Sequence, residues 1–266
     1  MARTDDYGAA EPRVVVADDQ VVAVWKPHRM HCAALAEGGG ASLAAWMAAR
    51  FPETAPASFP PEAAAVDGGL VHRLDFDTAG LVLFARNPRA LSALRAAQEA
   101  DGIRKTYRLQ CCARGQGLPG SRPLRGAPEG MTEAGWAGSI ADRWASAGAM
   151  RGATIRSRFR SYGPRGARVA CLDPSAEARF PRRRGSPERD YVTSVPEAEV
   201  SGGMIVAAAR LTRGFRHQIR AHFAWIGLPL LGDGLYGGEE AETLRLVATA
   251  IEFEHPGTGS PTLVEA

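Results

Sequence analysis

His72-Arg73-Leu74-Asp75-Phe76-Asp77-Thr78-Ala79-Gly80-Leu81-Val82-Leu83-Phe84 is the stretch on which the reading of this chain turns. Leu70 to Leu74 and Leu81 to Ala85 are apolar runs that predict strands, and Asp75 to Gly80 between them is polar and turn-prone. A carboxylate at such a strand-to-turn corner is fixed by the sheet behind it and free to face a cleft, the usual way a nucleophile or base is presented. The same residues also read as a turn aspartate bonded to the amide of Asp77.

Working outward, Val14 to Ala17 and Val21 to Trp25 around Asp18-Asp19-Gln20 predict a hairpin, which Lys26-Pro27 ends. Ser42 caps a helix running to about Arg50, and Phe51 to Pro61 reads as connector. Asn87-Pro88 opens a second helix that stops near Gly102, with Leu91 and Leu94 on one face. Lys105 to Cys111 alternates as a strand. Residues 113–152 hold nine glycines with Pro119, Pro123 and Pro128, and read as an insertion with one helix near Ala141 to Ala147, or else as a linker between two domains. Strands are expected near Thr154 to Arg160, Ala167 to Leu172, Tyr191 to Val195 and Met204 to Ala209, and a helix over His217 to Ile226 ending at Gly227. Many strands, few helices and no βαβ rhythm give an α+β class on a largely antiparallel sheet.

A second segment carries chemistry: Arg210-Leu211-Thr212-Arg213-Gly214-Phe215-Arg216-His217-Gln218-Ile219-Arg220-Ala221-His222. Four residues apart, Arg216 and Arg220 are expected on one helix face, with Arg213 at its start. Cations there oppose the helix macrodipole and call for an anion: a buried carboxylate, a substrate phosphate, or both. A solvated basic turn is the plainer alternative. The run Leu228 to Gly237 is rich in glycine and by itself a weak signal.

Composition narrows the class. The chain has 266 residues, 45% hydrophobic and 23% charged, long enough for a real core. Net charge is only +3, but the sole lysines are Lys26 and Lys105, and Arg151 to Asp190 holds eleven arginines against four acids. Arginine forks onto phosphate and stacks on bases, so this block, with Arg182, Arg183 and Arg184, suits a nucleic-acid surface; a GC-rich genome that writes arginine everywhere explains the bias as well. No run of eighteen apolar residues and no apolar N-terminal segment are found, so a cytoplasmic protein is expected. Cys32, Cys111, Cys112 and Cys171 form no C-x-x-C pair and read as reduced structural thiols; no metal site is expected.

Taken together, the segments resemble the RluA family of RNA pseudouridine synthases. His72 to Phe84 matches the family's H-R-L-D, two variable residues, T-S-G and apolar strand, with Ala79 in place of serine. Phe215 to Arg220, His222 and Gly227 to Gly237 approximate its R-x-H-Q-I-R, H and G-x-P-(I/L)-x-G-D-x-x-Y-G run, with Phe215 where an arginine is usual. Lys105-Thr106-Tyr107 matches its K-x-Y strand, and Val21 to Pro27 its strand ending in K-P. The resemblance implies a pseudouridine-synthase-like fold: one catalytic domain over 1–266 with two subdomains around an active-site cleft across a mixed, mostly antiparallel sheet, and no separate S4-type domain.

It also implies isomerisation of uridine in ribosomal or transfer RNA, without a cofactor. Asp75 would start glycosidic bond cleavage, Arg220 would hold it charged, and Tyr107 would stack on the target uracil and take part in removing the C5 proton. Arg73 would fill the gap left by a flipped base. His72, Lys105, Arg213, Arg216, His217 and the Arg182 to Arg184 cluster are the remaining candidates for RNA contact, with packing the other reading for His72 and Lys105. Two rivals stand beside this. One is a noncatalytic RNA-binding protein on the same fold. The other is a small hydrolase pairing His72 or His217 with Asp75, for which no G-x-S-x-G or H-E-x-x-H pattern is present.

Overall fold

The computed structural model describes residues 11–34, 41–61, 67–112, 150–172, 189–201 and 204–266. The helix expected over 141–147, most of the 113–152 insertion and Arg182 to Arg184 lie outside them. Contacts divide the chain into two compact units, 1–107 with 247–266, and 108–246. The division falls beside the 113–152 stretch rather than through it.

In the first unit, β1 (Arg13–Ala17) and β2 (Val21–Lys26) form the expected hairpin. The Asp18 carboxylate closes it by accepting from the amides of Gln20 and Val21 at 2.7 and 2.9 Å. β2 and β3 (Ala79–Ala85) are buried along their whole length, as continuous apolar runs require when both faces are covered. The strand expected over Leu70 to Leu74 is instead an extended segment held to β3 through Val71, Gly69 and a bridge from Leu70 to Phe84. Its later residues turn away to form the polar corner, which ends the ladder.

Helix α1 (Leu43–Arg50) starts where Ser42 Oγ accepts from Ala45 N–H, and Phe51 to Pro61 folds into two short 3-10 turns. Helix α2 (Pro88–Glu99) is capped by Asn87, and its Ala90, Leu91 and Leu94 pack with Leu81, Leu83, Ile103 and Phe253. β4 (Arg104–Cys111) alternates buried and half-exposed positions and carries the chain from the first unit into the second. No local signal announced β9 (Leu246–Glu254) and β10 (Pro261–Glu265), which complete the first unit in the order β1-β2-β3-β9-β4, with β10 also on β9. β3 and β9 run parallel at Ala79↔Val247 and Gly80↔Ala248. At Gly80, φ is +116° and an added Cβ would sit 2.2 Å from the Ala248 carbonyl oxygen, so the glycine after Ala79 is what permits this pairing.

In the second unit the order is β8 (Met204–Leu211), β7 (Tyr191–Ser201), β5 (Ala153–Tyr162), β6 (Arg168–Leu172), all antiparallel. Helix α3 (Gln218–Trp225) packs on it through Ala221 and Ala224 against Phe159, Val169 and Cys171. Gly227 follows with φ +85°, the left-handed stop expected there. The strands form a mixed, mostly antiparallel arrangement with three α-helices among the described residues, an α+β structure.

Candidate active site

Residues 75–78 form a turn closed by the Thr78 amide donating to the Asp75 carbonyl at 3.1 Å. The end of β2 and the segment after it strap this corner down through four residues. Lys26, fully buried, donates from Nζ to the carbonyls of Pro27 and Met30 at 2.9 Å and of Phe76 at 3.2 Å. His28 donates from Nδ1 to the Asp77 carbonyl at 2.6 Å, and the Met30 amide donates to the Phe76 carbonyl at 3.3 Å. Cys32 Sγ accepts from the Leu74 amide at 3.2 Å and donates to the Leu74 carbonyl at 3.5 Å. The backbone from 74 to 77 is thus fixed on both sides of Asp75, whose side chain stays half-exposed.

Electrostatics follow the burial. Desolvation pulls the Lys26 ammonium down to about 8 against the raising fields of Cys32, Asp75 and Asp77. Lys105 and Tyr107 lie two apart on β4 and so share its buried face. Burial first, then the Asp75 charge, pushes the Tyr107 phenol well above its usual range, so it keeps its proton at neutral pH. His72 sits behind the corner, its Nε2 accepting from the Leu83 amide at 3.3 Å. Burial, with the neighbouring Lys105 charge, holds it at about 3 and therefore neutral. Lys105 is only 3% exposed and His72 is also buried, which accords with the packing alternative for both. Arg73 and Phe76, in contrast, point to solvent on either side of Asp75.

In the second unit the structure corrects one expectation and answers another. Arg216 and Arg220 do not share a helix face, because His217 takes a left-handed φ of +57° and α3 begins only at Gln218. Arg216 is exposed and donates to the Gly166 carbonyl. Arg220 is buried, and its anion is a carboxylate: Nε and Nη2 fork onto Asp233 at 2.8 and 2.7 Å, with side chains 3% and 0% exposed. Asp233 also accepts from the amides of Leu235 and Tyr236. It lies in the glycine-rich run that was a weak signal alone, and nothing local marked it as the partner.

His217 Nδ1 lies 3.0 Å from the Tyr236 hydroxyl, which accepts from the Val169 amide at 2.9 Å. Arg213 is half-exposed before the helix. His222, held at about 3 by burial, bonds Ser157 and Thr193 in a sealed polar network with Gln218. Both departures from the family pattern have structural accounts. Phe215 stacks on Phe159 with ring centroids 5.0 Å apart and meets Tyr191 edge-on at 5.1 Å, so this position serves an aromatic cluster. Ala79 is buried against Trp25 and Val247, where a hydroxyl would face apolar surface.

A sequence model described as RNA pseudouridylate synthase matches residues 20–225. The chain is 30% identical over 194 residues to "RNA pseudouridine synthase 2, chloroplastic" of Arabidopsis thaliana, covering 73% of this chain and 36% of that protein. It is 28% identical over 208 residues to "Ribosomal large subunit pseudouridine synthase C" of Escherichia coli (strain K12), covering 74% and 51%. The chain thus spans about a third to a half of the length of these curated relatives. Two solved human structures share the fold. RNA Pseudouridylate Synthase Domain Containing 1 has a TM-score of 0.57 at 18% identity, covering 96% of this chain and 83% of that one. Domain Containing 4 has 0.58 at 12%, covering 95% and 87%.

Proposed function

The chain belongs to the RNA pseudouridylate synthase family, and from that premise we propose that it isomerises uridine to pseudouridine within structured RNA. In this reaction the N1–C1′ bond breaks, the uracil turns over in its pocket, C5 bonds to C1′ and gives up its proton, and the freed N1 takes up a proton. The product is an isomer of the substrate, so no cofactor is consumed. Asp75 starts bond cleavage. The observation that supports this most is the corner itself, a half-exposed carboxylate whose backbone is fixed on both sides by Lys26, His28, Met30 and Cys32.

Tyr107, its buried phenol protonated at neutral pH, stacks on the uracil. Arg220 is the third residue of the machinery. The target nucleotide is flipped out of its stack at a cost of a few kcal/mol, and exposed Arg73 fills the gap. Arg213, Arg216 and the Arg182 to Arg184 cluster contact phosphate. Ribosomal RNA is the first substrate to test, since one relative carries it in its name; transfer RNA is the second. Four buried, free cysteines suit a reducing compartment such as the cytoplasm. Carbodiimide mapping of pseudouridines in total RNA, with and without the gene, tests the activity and names the uridine.

A further inference from the structure

Phe76 is among the few large apolar side chains exposed on the described surface, at 40%, and it directly follows the proposed catalytic aspartate. A free aromatic ring in water is usually mobile, but this one is anchored at both ends. Its carbonyl accepts from Lys26 Nζ and from the Met30 amide. Its ring lies against His31, with centroids 4.6 Å apart and planes inclined by 38°. The result is a rigid, partly bare π surface. Arg73 and Arg29 are exposed on the two chain segments that build it, and Arg29 is held with a left-handed φ of +54°, a conformation uncommon outside glycine.

We infer that Phe76, backed by His31, is a stacking platform for the nucleobase adjacent to the target uridine. The inference rests on the RNA activity proposed above and adds a subsite to it. The reacting C1′ must approach Asp75, and the nucleotides on either side are covalently tied to it, so they must cross the surface that flanks Asp75. There they meet an aromatic face beside guanidinium groups, the pairing that holds single-stranded nucleic acid: bases stack on the ring while arginine neutralises phosphate. Stacking accepts any base, so the platform strengthens binding without adding a sequence requirement. Where Phe76 takes the face of the neighbour that the flipped uracil vacates, it also favours a target nucleotide that is already out of a helix.

The probe is a short single-stranded RNA with one uridine between two 2-aminopurines, whose fluorescence is quenched by stacking, mixed with the full chain. Wild type should bind and change the quench. Phe76→Ala and Phe76→Leu should each weaken binding roughly tenfold and lose that signal, whereas Phe76→Trp should keep both. Replacing one flanking base by an abasic residue should weaken the wild type by a similar factor and add nothing in Phe76→Ala. Pseudouridine formation is followed on the same RNAs. If wild type binds with the stacking signature but mapping of total RNA finds no pseudouridine that depends on the gene, the activity is refuted and the platform stands. Failure of wild type to bind the probe, binding by Phe76→Leu within twofold of wild type, or additive losses in the abasic pairing would overturn the platform, whatever the activity shows.

Discussion

Asp233→Ala isolates the buried ion pair of the second unit formed by Arg220 and Asp233. The substitution leaves the Arg220 guanidinium, 3% exposed, without the carboxylate that receives two of its N–H groups at 2.7 and 2.8 Å. Removing one partner of a buried pair costs about 3–5 kcal/mol, because the remaining charge stays desolvated. The two backbone amides of Leu235 and Tyr236 lose an acceptor as well, at about 1 kcal/mol each. For a chain of this size the loss corresponds to a fall in Tm of order 10 °C. Asp233→Asn keeps an oxygen for those amides and should therefore cost less than alanine. The double variant Arg220→Met with Asp233→Leu removes the buried charge altogether and should be more stable than Asp233→Ala alone. Chemical denaturation of wild type, Arg220→Met, Asp233→Leu and the double variant measures the cycle, with Asp233→Ala and Asp233→Asn alongside. If Asp233→Ala stays within 1 kcal/mol of wild type, or the double variant costs the sum of the singles, the reasoning is wrong.

Three other outcomes follow from the charges in the structure. Lys26 is held at about 8 when folded against an ordinary 10.5, so the unfolded chain binds the extra proton between those values. Wild type should therefore gain stability relative to Lys26→Met as pH rises from 8 to 10.5, by up to about 3 kcal/mol; denaturation midpoints across that window decide it. His72, held at about 3 against 6.5, acts in the acid range: its contribution is present above pH 6.5 and is lost as pH falls toward 3. A His72→Gln variant should show a flatter loss of stability over that window, read by acid titration of circular dichroism. Neutralising Arg182, Arg183 and Arg184 together should reduce the slope of log affinity against log salt by about 2–3 for RNA binding by filter retention, and an unchanged slope removes them from the phosphate path.

Much of the fold was legible because it is written in local chemistry. Ser42 and Asn87 cap their helices as their side chains suggest, and Asp18 closes the first hairpin. The K-x-Y spacing put Lys105 and Tyr107 on one face of a strand, as period two requires. What was not legible depends on partners distant in sequence or on backbone that pattern does not reveal. β9 pairs with β3 across more than 160 residues, and no local alternation marks that. Arg216 fell off the helix because His217 bends left-handed, a conformation polar periodicity does not signal. The need for an anion at Arg220 was legible from its charge; that Asp233 would answer it was not, because the aspartate sits in an unpatterned turn. The Cys32 clamp on Leu74 was likewise hidden, since a buried thiol reads as packing until its neighbours are known.

The central claim is that the carboxylate of Asp75 carries out the chemistry. Its most direct test is carbodiimide mapping of the modified uridine after incubation of unmodified RNA with wild type or Asp75→Asn, alongside Tm and RNA affinity. The account predicts no pseudouridine from the variant, with folding and binding retained, because the amide keeps the shape of the turn while removing the charge. Full pseudouridine formation by Asp75→Asn would contradict it.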